Sequence, residues 1–112
     1  MSTHSIQTRD PDPAPIFAAL GDRTRLSLVM KLSDGQTRSI AKLSADTEIT
    51  RQAVTKHLRV LENAGLVSSS RVGRESQFAL RPEPIAEIRS YLDEVSRQWD
   101  DALSRLRSFI EQ

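Results

Sequence analysis

The sequence predicts a single, mainly α-helical domain carrying one β-hairpin. Three observations lead there. Apolar residues recur at helical spacing, most clearly at Val54, Leu58 and Leu61 and again from Ile85 to Phe109. Between those segments, residues 66–80 flank a Gly73-Arg74 pair with strand-like runs, the pattern of a tight hairpin. The 112 residues include only four glycines and five prolines, and 28% are charged, which leaves room for one core and little basis for disorder.

The elements follow in chain order. Residues 1–13 are polar and end at Asp12-Pro13, so they are expected to form a flexible N-terminus, with residues 14–112 as the folded domain. Ile16, Phe17 and Leu20 make a short apolar turn closed by Gly21. Asp22 is placed to cap a helix from Arg23 to Leu32, with Leu26, Val29 and Met30 on one face and Leu28 and Leu32 widening it. After Ser33-Asp34-Gly35 and a polar stretch, Ser39 caps a small helix bearing Ile40, Ala41 and Leu43.

Thr50 caps the next helix, which runs to about Asn63 with two well-separated faces. Val54, Leu58 and Leu61 must face a core, whereas Arg51, Gln52, Thr55, Lys56 and Arg59 fall opposite, and Gly65 supplies the stop. The hairpin pairs Val72 with Glu75, Ser69 with Phe78 and Val67 with Leu80 across a type II′ turn, giving one apolar and one polar face. A last helix of about 27 residues follows Pro84; Ile85, Ile88, Leu92, Val95, Trp99, Ala102, Leu106 and Phe109 are spaced 3, 4, 3, 4, 3, 4, 3. At about 1.5 Å per residue it is some 40 Å long and overhangs its own domain, so the same helix of a second chain is the economical partner.

Net charge is +1, yet residues 50–75 hold five basic side chains against two acidic ones. A small helix, a turn, an amphipathic helix with a basic and amide-bearing outer face, and an Arg-tipped hairpin make a winged helix-turn-helix. Such a helix fits the major groove, where Arg and Gln match guanine and adenine edges with paired hydrogen bonds. Arg51 and Gln52 are the candidates for base readout, with Thr55 and Lys56 next. Arg59 is set for phosphate, and Arg71 and Arg74 for phosphate or an adjacent minor groove. Thr50 and the free N–H groups of its helix favour a phosphate oxygen, and Ser39 at the preceding cap completes the set.

Other chemistries find little support. With no cysteine, thiolate metal sites, disulfides and cysteine nucleophiles are excluded. No apolar stretch approaches a membrane span, and Met1 to Pro15 is too polar for a signal peptide, so a cytoplasmic protein is expected. Asp93-Glu94 and Asp100-Asp101 are adjacent pairs that diverge on a helix, and Ser68-Ser69-Ser70 has no histidine to activate a hydroxyl. His57, inside the basic helix, reads as a packing or phosphate residue. No enzyme, cofactor or metal is expected.

Two segments, Phe17-Ala-Ala-Leu-Gly-Asp-Arg-Thr-Arg-Leu26 and Ile49-Thr-Arg-Gln-Ala-Val-Thr-Lys-His-Leu-Arg-Val-Leu-Glu-Asn-Ala-Gly-Leu-Val67, closely resemble the ArsR-type (arsenic-repressor-like) winged-helix transcriptional regulators. The resemblance covers about residues 15–81. It implies the order α-α-α-α-β-β-α, a homodimeric repressor of inverted-repeat operators released by an inducer, a DNA-reading helix at 50–63 and a hairpin wing. Its dimer interface would be built from terminal helices: Ile16, Phe17 and Leu20 with Ile88, Leu92, Val95, Trp99, Leu103 and Leu106. Metal-sensing members carry Cys-x-Cys before the reading helix, but Gln36 to Leu43 has none. The last helix offers Asp93, Glu94, Asp100 and Asp101 without a histidine. The sequence therefore looks like the metal-independent branch.

The expected function is that of a sequence-specific repressor acting as a homodimer on a palindromic stretch of double-stranded DNA, its own promoter included, with any small-molecule effector unidentified. Two alternatives stay open at this point: an activator or a regulator controlled by a small organic effector near Trp99 and Phe17, and a protein-interaction module that binds no DNA.

Overall fold

A computed structural model describes residues 12–111. Apart from Asp12 and Pro13, the expected flexible N-terminus lies outside the described residues. The apolar turn at the start is a helix, α1 (Ala14–Leu20), whose first N–H is taken by Asp12 Oδ1 at 3.0 Å. Helix α2 (Arg23–Lys31) starts where Asp22 Oδ2 accepts the backbone N–H of Arg25 at 3.0 Å. Strand β1 (Arg38–Ser39) leads straight into α3 (Ile40–Ser44), which Ser39 caps, and α4 (Arg51–Asn63) is capped by Thr50. Strands β2 (Val67–Val72) and β3 (Glu75–Leu80) precede a 30-residue helix, α5 (Pro82–Glu111).

The core is the meeting point of these elements. Leu28 from α2 and Leu32 at its C-cap, Leu43 from α3, Val54, Leu58 and Leu61 from α4, and Leu66 and Val67 after it are all fully buried. Each such side chain withdrawn from water contributes roughly 1.5 to 3 kcal/mol. Ile16 and Ala19 of α1, Phe78 of β3 and Ile88 of α5 close the cluster. At the end of α4 the N–H of Leu66 bonds the carbonyl of Leu61 and that of Gly65 bonds Glu62, both at 2.9 Å. This is a Schellman closure with Gly65 at φ +83°, and it turns the chain directly into the hairpin.

The hairpin register is the expected one, with Val67 opposite Leu80, Ser69 opposite Phe78 and Val72 opposite Glu75. Gly73 has φ +64° while Arg74 stays at negative φ, as a type II′ turn requires.

Four expectations need correction. Residues 36–39 are not merely a polar connection: Arg38 and Ser39 pair with Phe78 and Gln77, giving a three-stranded sheet in the order β1-β3-β2. Two residues are too few to display a period of two, so sequence pattern could not reveal this strand. Helix α2 and its C-cap bury Leu28 and Leu32, not Leu26 and Met30, which are 48% and 69% exposed. Apolar residues lie nearly all round that helix, so its neighbours rather than its periodicity choose the inner face. The hairpin's apolar face is confined to its base, since Val67 and Phe78 are buried whereas Val72 near the tip is exposed. Finally, α5 begins at Pro82, because prolines in a first turn have no intrahelical donor to lose.

Asp34, Asp46 and Asp22 all titrate below the usual carboxylate range. Asp34 is lowered first by the hydrogen-bonded Arg38 guanidinium and then by the Gln36 N–H, Asp46 by the Lys31 ammonium, and Asp22 chiefly by the Arg25 N–H. Because the folded values lie below the unfolded ones, their stabilisation is complete above about pH 5 and drains away as pH falls toward the lowered values.

Thermal stability should therefore fall on acidification below about pH 5, and Asp34→Asn should flatten part of that loss; identical pH profiles for variant and parent would contradict the linkage. In denaturant, Leu58→Ala should cost about 2 to 5 kcal/mol. Gly65→Ala should cost about 1 kcal/mol through its left-handed backbone alone, since the added carbon would meet nothing closer than Arg81 Nη1 at 3.9 Å. A Gly65→Ala loss as large as that of Leu58→Ala would contradict this ranking.

Candidate nucleic-acid interface

Burying Val54, Leu58 and Leu61 leaves the opposite flank of α4 in solvent, with Arg51, Gln52, Lys56 and Arg59 all exposed. The Thr50 hydroxyl accepts the N–H of Ala53 at 3.1 Å, so the helix begins sharply beside these side chains. Two open hollows border the flank. One, of about 340 Å³, is lined by Ser39, Ile40 and Ala41 from the start of α3, Arg51, Gln52 and Thr55 from α4, and Arg74, Glu75 and Ser76 from the wing tip. The second, of about 350 Å³, lies further along α4 and brings Arg59 and Glu62 to Ser69, Ser70 and Arg71 of β2. Thr55 borders both, and Lys56 stands outside them on the open side.

The wing is tied to this helix pair at two places. Strand β1 bonds β3, and the Thr37 hydroxyl donates to Gln77 Oε1 at 3.1 Å, which sets the wing against α3. At the base, the Ser69 hydroxyl donates to Glu62 Oε2 at 2.7 Å. Glu62 and Ser69 were not among the residues singled out from sequence. Only the juxtaposition of β2 with α4 reveals them, because an acidic residue on a helix flank carries no signal by itself.

The electrostatics of the face are uneven. Among the described residues, Arg51, Lys56, Arg59, Arg71 and Arg74 make no ion pair, whereas Lys31, Arg38, Arg97 and Arg107 are each held by a carboxylate. Four of the five cations of residues 50–75 thus border the two hollows, Arg51 and Arg74 the first, Arg59 and Arg71 the second. Ser39 and Thr50 are partly committed as caps, accepting the N–H groups of Lys42 and Ala53. Thr55 donates to the carbonyl of Arg51 at 2.8 Å, which leaves its methyl and remaining lone pairs for any ligand.

His57 turns the other way. Its Nδ1 lies 3.2 Å from Arg25 Nη1 and 3.8 Å from Asp22 Oδ2, and Arg25 Nε also donates to the carbonyl of Ala19. This cluster fastens α4 to the corner between α1 and α2. No cluster of metal-binding side chains is present among the described residues, and no described helix is long and apolar enough to cross a membrane.

The residues expected at a dimer interface divide into two groups. Ile16 and Ile88 are buried in their own chain's core, while Phe17 and Leu20 pack against it, with the Phe17 and Tyr91 rings 5.9 Å apart. Leu92, Trp99, Leu103 and Leu106 lie on the part of α5 that projects beyond the body, and each is roughly half or more exposed (48%, 64%, 56% and 55%). Val95 between them is half-buried.

Comparison with known proteins agrees with this architecture. Residues 22–69 match the family described as bacterial regulatory protein, arsR family. The HTH-type transcriptional regulator Rv2034 of Mycobacterium tuberculosis is 35% identical over 99% of this chain and 94% of its own length. The uncharacterized HTH-type regulator YuzN of Bacillus subtilis is 40% identical over 65% of this chain and 86% of its own. Among solved structures, an ArsR-like transcriptional regulator from Rhodococcus sp. RHA1 superposes with a TM-score of 0.71 at 32% identity, covering 87% of this chain and 91% of that one. The chain belongs to the arsR family of bacterial regulatory proteins, winged-helix transcriptional regulators that bind double-stranded DNA.

Proposed function

We propose that this protein is a homodimeric transcriptional repressor that occupies a palindromic operator through the α4 flank and the wing, in the cytoplasm and by binding rather than catalysis. Residues 14–112 act as one unit, in which the body binds DNA and α5 dimerises. The observation that carries the reading is the set of five cations around α4 and the hairpin that make no ion pair among the described residues, an arrangement that favours a polyanion by releasing condensed counterions. Arg51 and Gln52, at the exposed start of α4, are placed to meet base edges, with Thr55 and Lys56 beside them. Arg59, Arg71 and Arg74, with the capped helix starts at Ser39 and Thr50, hold phosphates and set register.

The dimer reading is supported by the length of α5. Its 30 residues extend about 45 Å, and it meets the body near its start, through Ile85, Ile88 and Tyr91. An apolar stripe through Leu92, Val95, Trp99, Leu103 and Leu106 would be a liability on a monomer, and a two-fold mate with the same stripe removes it from water. Two α4 helices related by that axis then meet successive major grooves about 34 Å apart, so the operator is an imperfect palindrome. Repression follows from excluding polymerase, and the protein's own promoter is the first site to test.

Titrating a duplex selected from a random library should show log affinity falling linearly and steeply with log salt; Arg59→Ala should shallow the slope by about one unit. Gln52→Ala should leave the slope unchanged and relax base preference at one position, costing about 1 to 3 kcal/mol. Leu92→Asp should lower both self-association in sedimentation and operator affinity. Salt-insensitive binding, or a Leu92→Asp protein that remains dimeric at low concentration, would contradict the respective half of the proposal.

A further inference from the structure

The second hollow contains a residue that a simple phosphate-binding face would omit. Glu62 lies three residues beyond Arg59 on α4, borders the same hollow as Arg59 and Arg71, and is the one carboxylate there. A negative charge in that position repels any phosphate the two arginines attract. Among the described residues it makes no ion pair with either of them. Its side chain is instead engaged by the wing, since the Ser69 hydroxyl donates to Oε2 at 2.7 Å. A hydroxyl-to-carboxylate bond is charge-assisted and is among the stronger single links available to a neutral donor.

The placement of that bond explains its use. Strand β2 is an edge strand, bonded to β3 on one side only, and past Val67 every one of its residues is exposed. The β1 link acts on β3, at the far side of the sheet. Along β2 beyond the core, the Ser69–Glu62 bond is the hydrogen-bonded tether to α4 among the described residues. We infer that Glu62 is a positioning residue for DNA recognition: through Ser69 it fixes the angle between wing and reading helix, and its charge opposes phosphate binding in general. Discrimination between an operator and other duplexes needs Arg71 and Arg74 held in register with Gln52, whereas backbone-only binding does not. This rests on the DNA-binding reading of the face proposed above.

Charge and hydrogen bond can be separated. Glu62→Gln keeps an acceptor for Ser69 and removes the charge. Ser69→Ala keeps the charge and removes the bond, and Glu62→Ala removes both. Affinities are measured by fluorescence anisotropy over a range of salt for the parent's selected duplex and for a scrambled duplex of equal length. Hydrogen exchange of the β2 amides is followed in the free proteins.

Glu62→Gln should tighten binding to both duplexes about fivefold near physiological salt, steepen the salt slope by about 0.9, and leave their ratio and the β2 exchange unchanged. Ser69→Ala and Glu62→Ala should each lower the selected-to-scrambled ratio about tenfold and speed β2 exchange. A ratio preserved within twofold in Ser69→Ala, or a Glu62→Gln protein that behaves as Glu62→Ala does, would overturn the positioning role. Unchanged affinity and salt slope in Glu62→Gln would overturn the opposing charge. In each of those cases a parent that binds with steep salt dependence leaves the DNA-binding reading intact; a parent that binds neither duplex overturns both.

Discussion

The structure depends on the burial of one stripe along α4. Val54, Leu58 and Leu61 are wholly withdrawn from solvent against leucines of α2 and α3 and the Leu66-Val67 corner. Because a helix turns 100° per residue, fixing that stripe also fixes the outward direction of Arg51, Gln52, Lys56 and Arg59. The hydrophobic interior thereby determines which side chains of α4 are presented to solvent. The same constraint places the wing, since the Schellman closure at Gly65 delivers the chain from the last buried turn of α4 into β2.

A second consequence concerns how rigidly the parts are joined. Helix α4 is fastened on three sides: by its core stripe, by the Asp22-Arg25-His57 cluster at the α1–α2 corner, and by Glu62 to the wing. Since α1 also touches the start of α5 through Phe17 and Tyr91, the corner cluster lies on a continuous physical route from the projecting helix to the exposed flank. Helix α5 itself is joined to the body only near its start and leaves an apolar stripe without a partner in its own chain. The charged face and the apolar face are thus held by one small scaffold but are chemically independent of each other.

Much of this could be read from residues alone, for identifiable reasons. Asp22, Ser39 and Thr50 announce helix starts because their short side-chain oxygens satisfy free N–H groups, and all three cap as expected. Gly73 with its flanking runs fixed the strand register to the residue, because a two-residue loop admits one pairing. What stayed hidden depends on neighbours distant in sequence. Leu26 and Leu28 look equally apolar until α1 and α4 select the inner side of α2. Strand β1 exists only because β3 has an edge to offer Arg38 and Ser39. In the candidate site, the cations and Gln52 were legible as one helical flank, whereas Glu62 acquires its meaning only from Ser69, seven residues on and across a turn.

The most direct test of the central claim is a two-dimensional NMR titration of the protein with its selected duplex. If the α4 flank and the wing tip form the docking surface, amide signals of Arg51 to Arg59 and Arg71 to Arg74 move first and furthest, while those of α5 beyond Leu92 stay in place. Shifts concentrated along α5, with the start of α4 undisturbed at saturating DNA, would contradict the account.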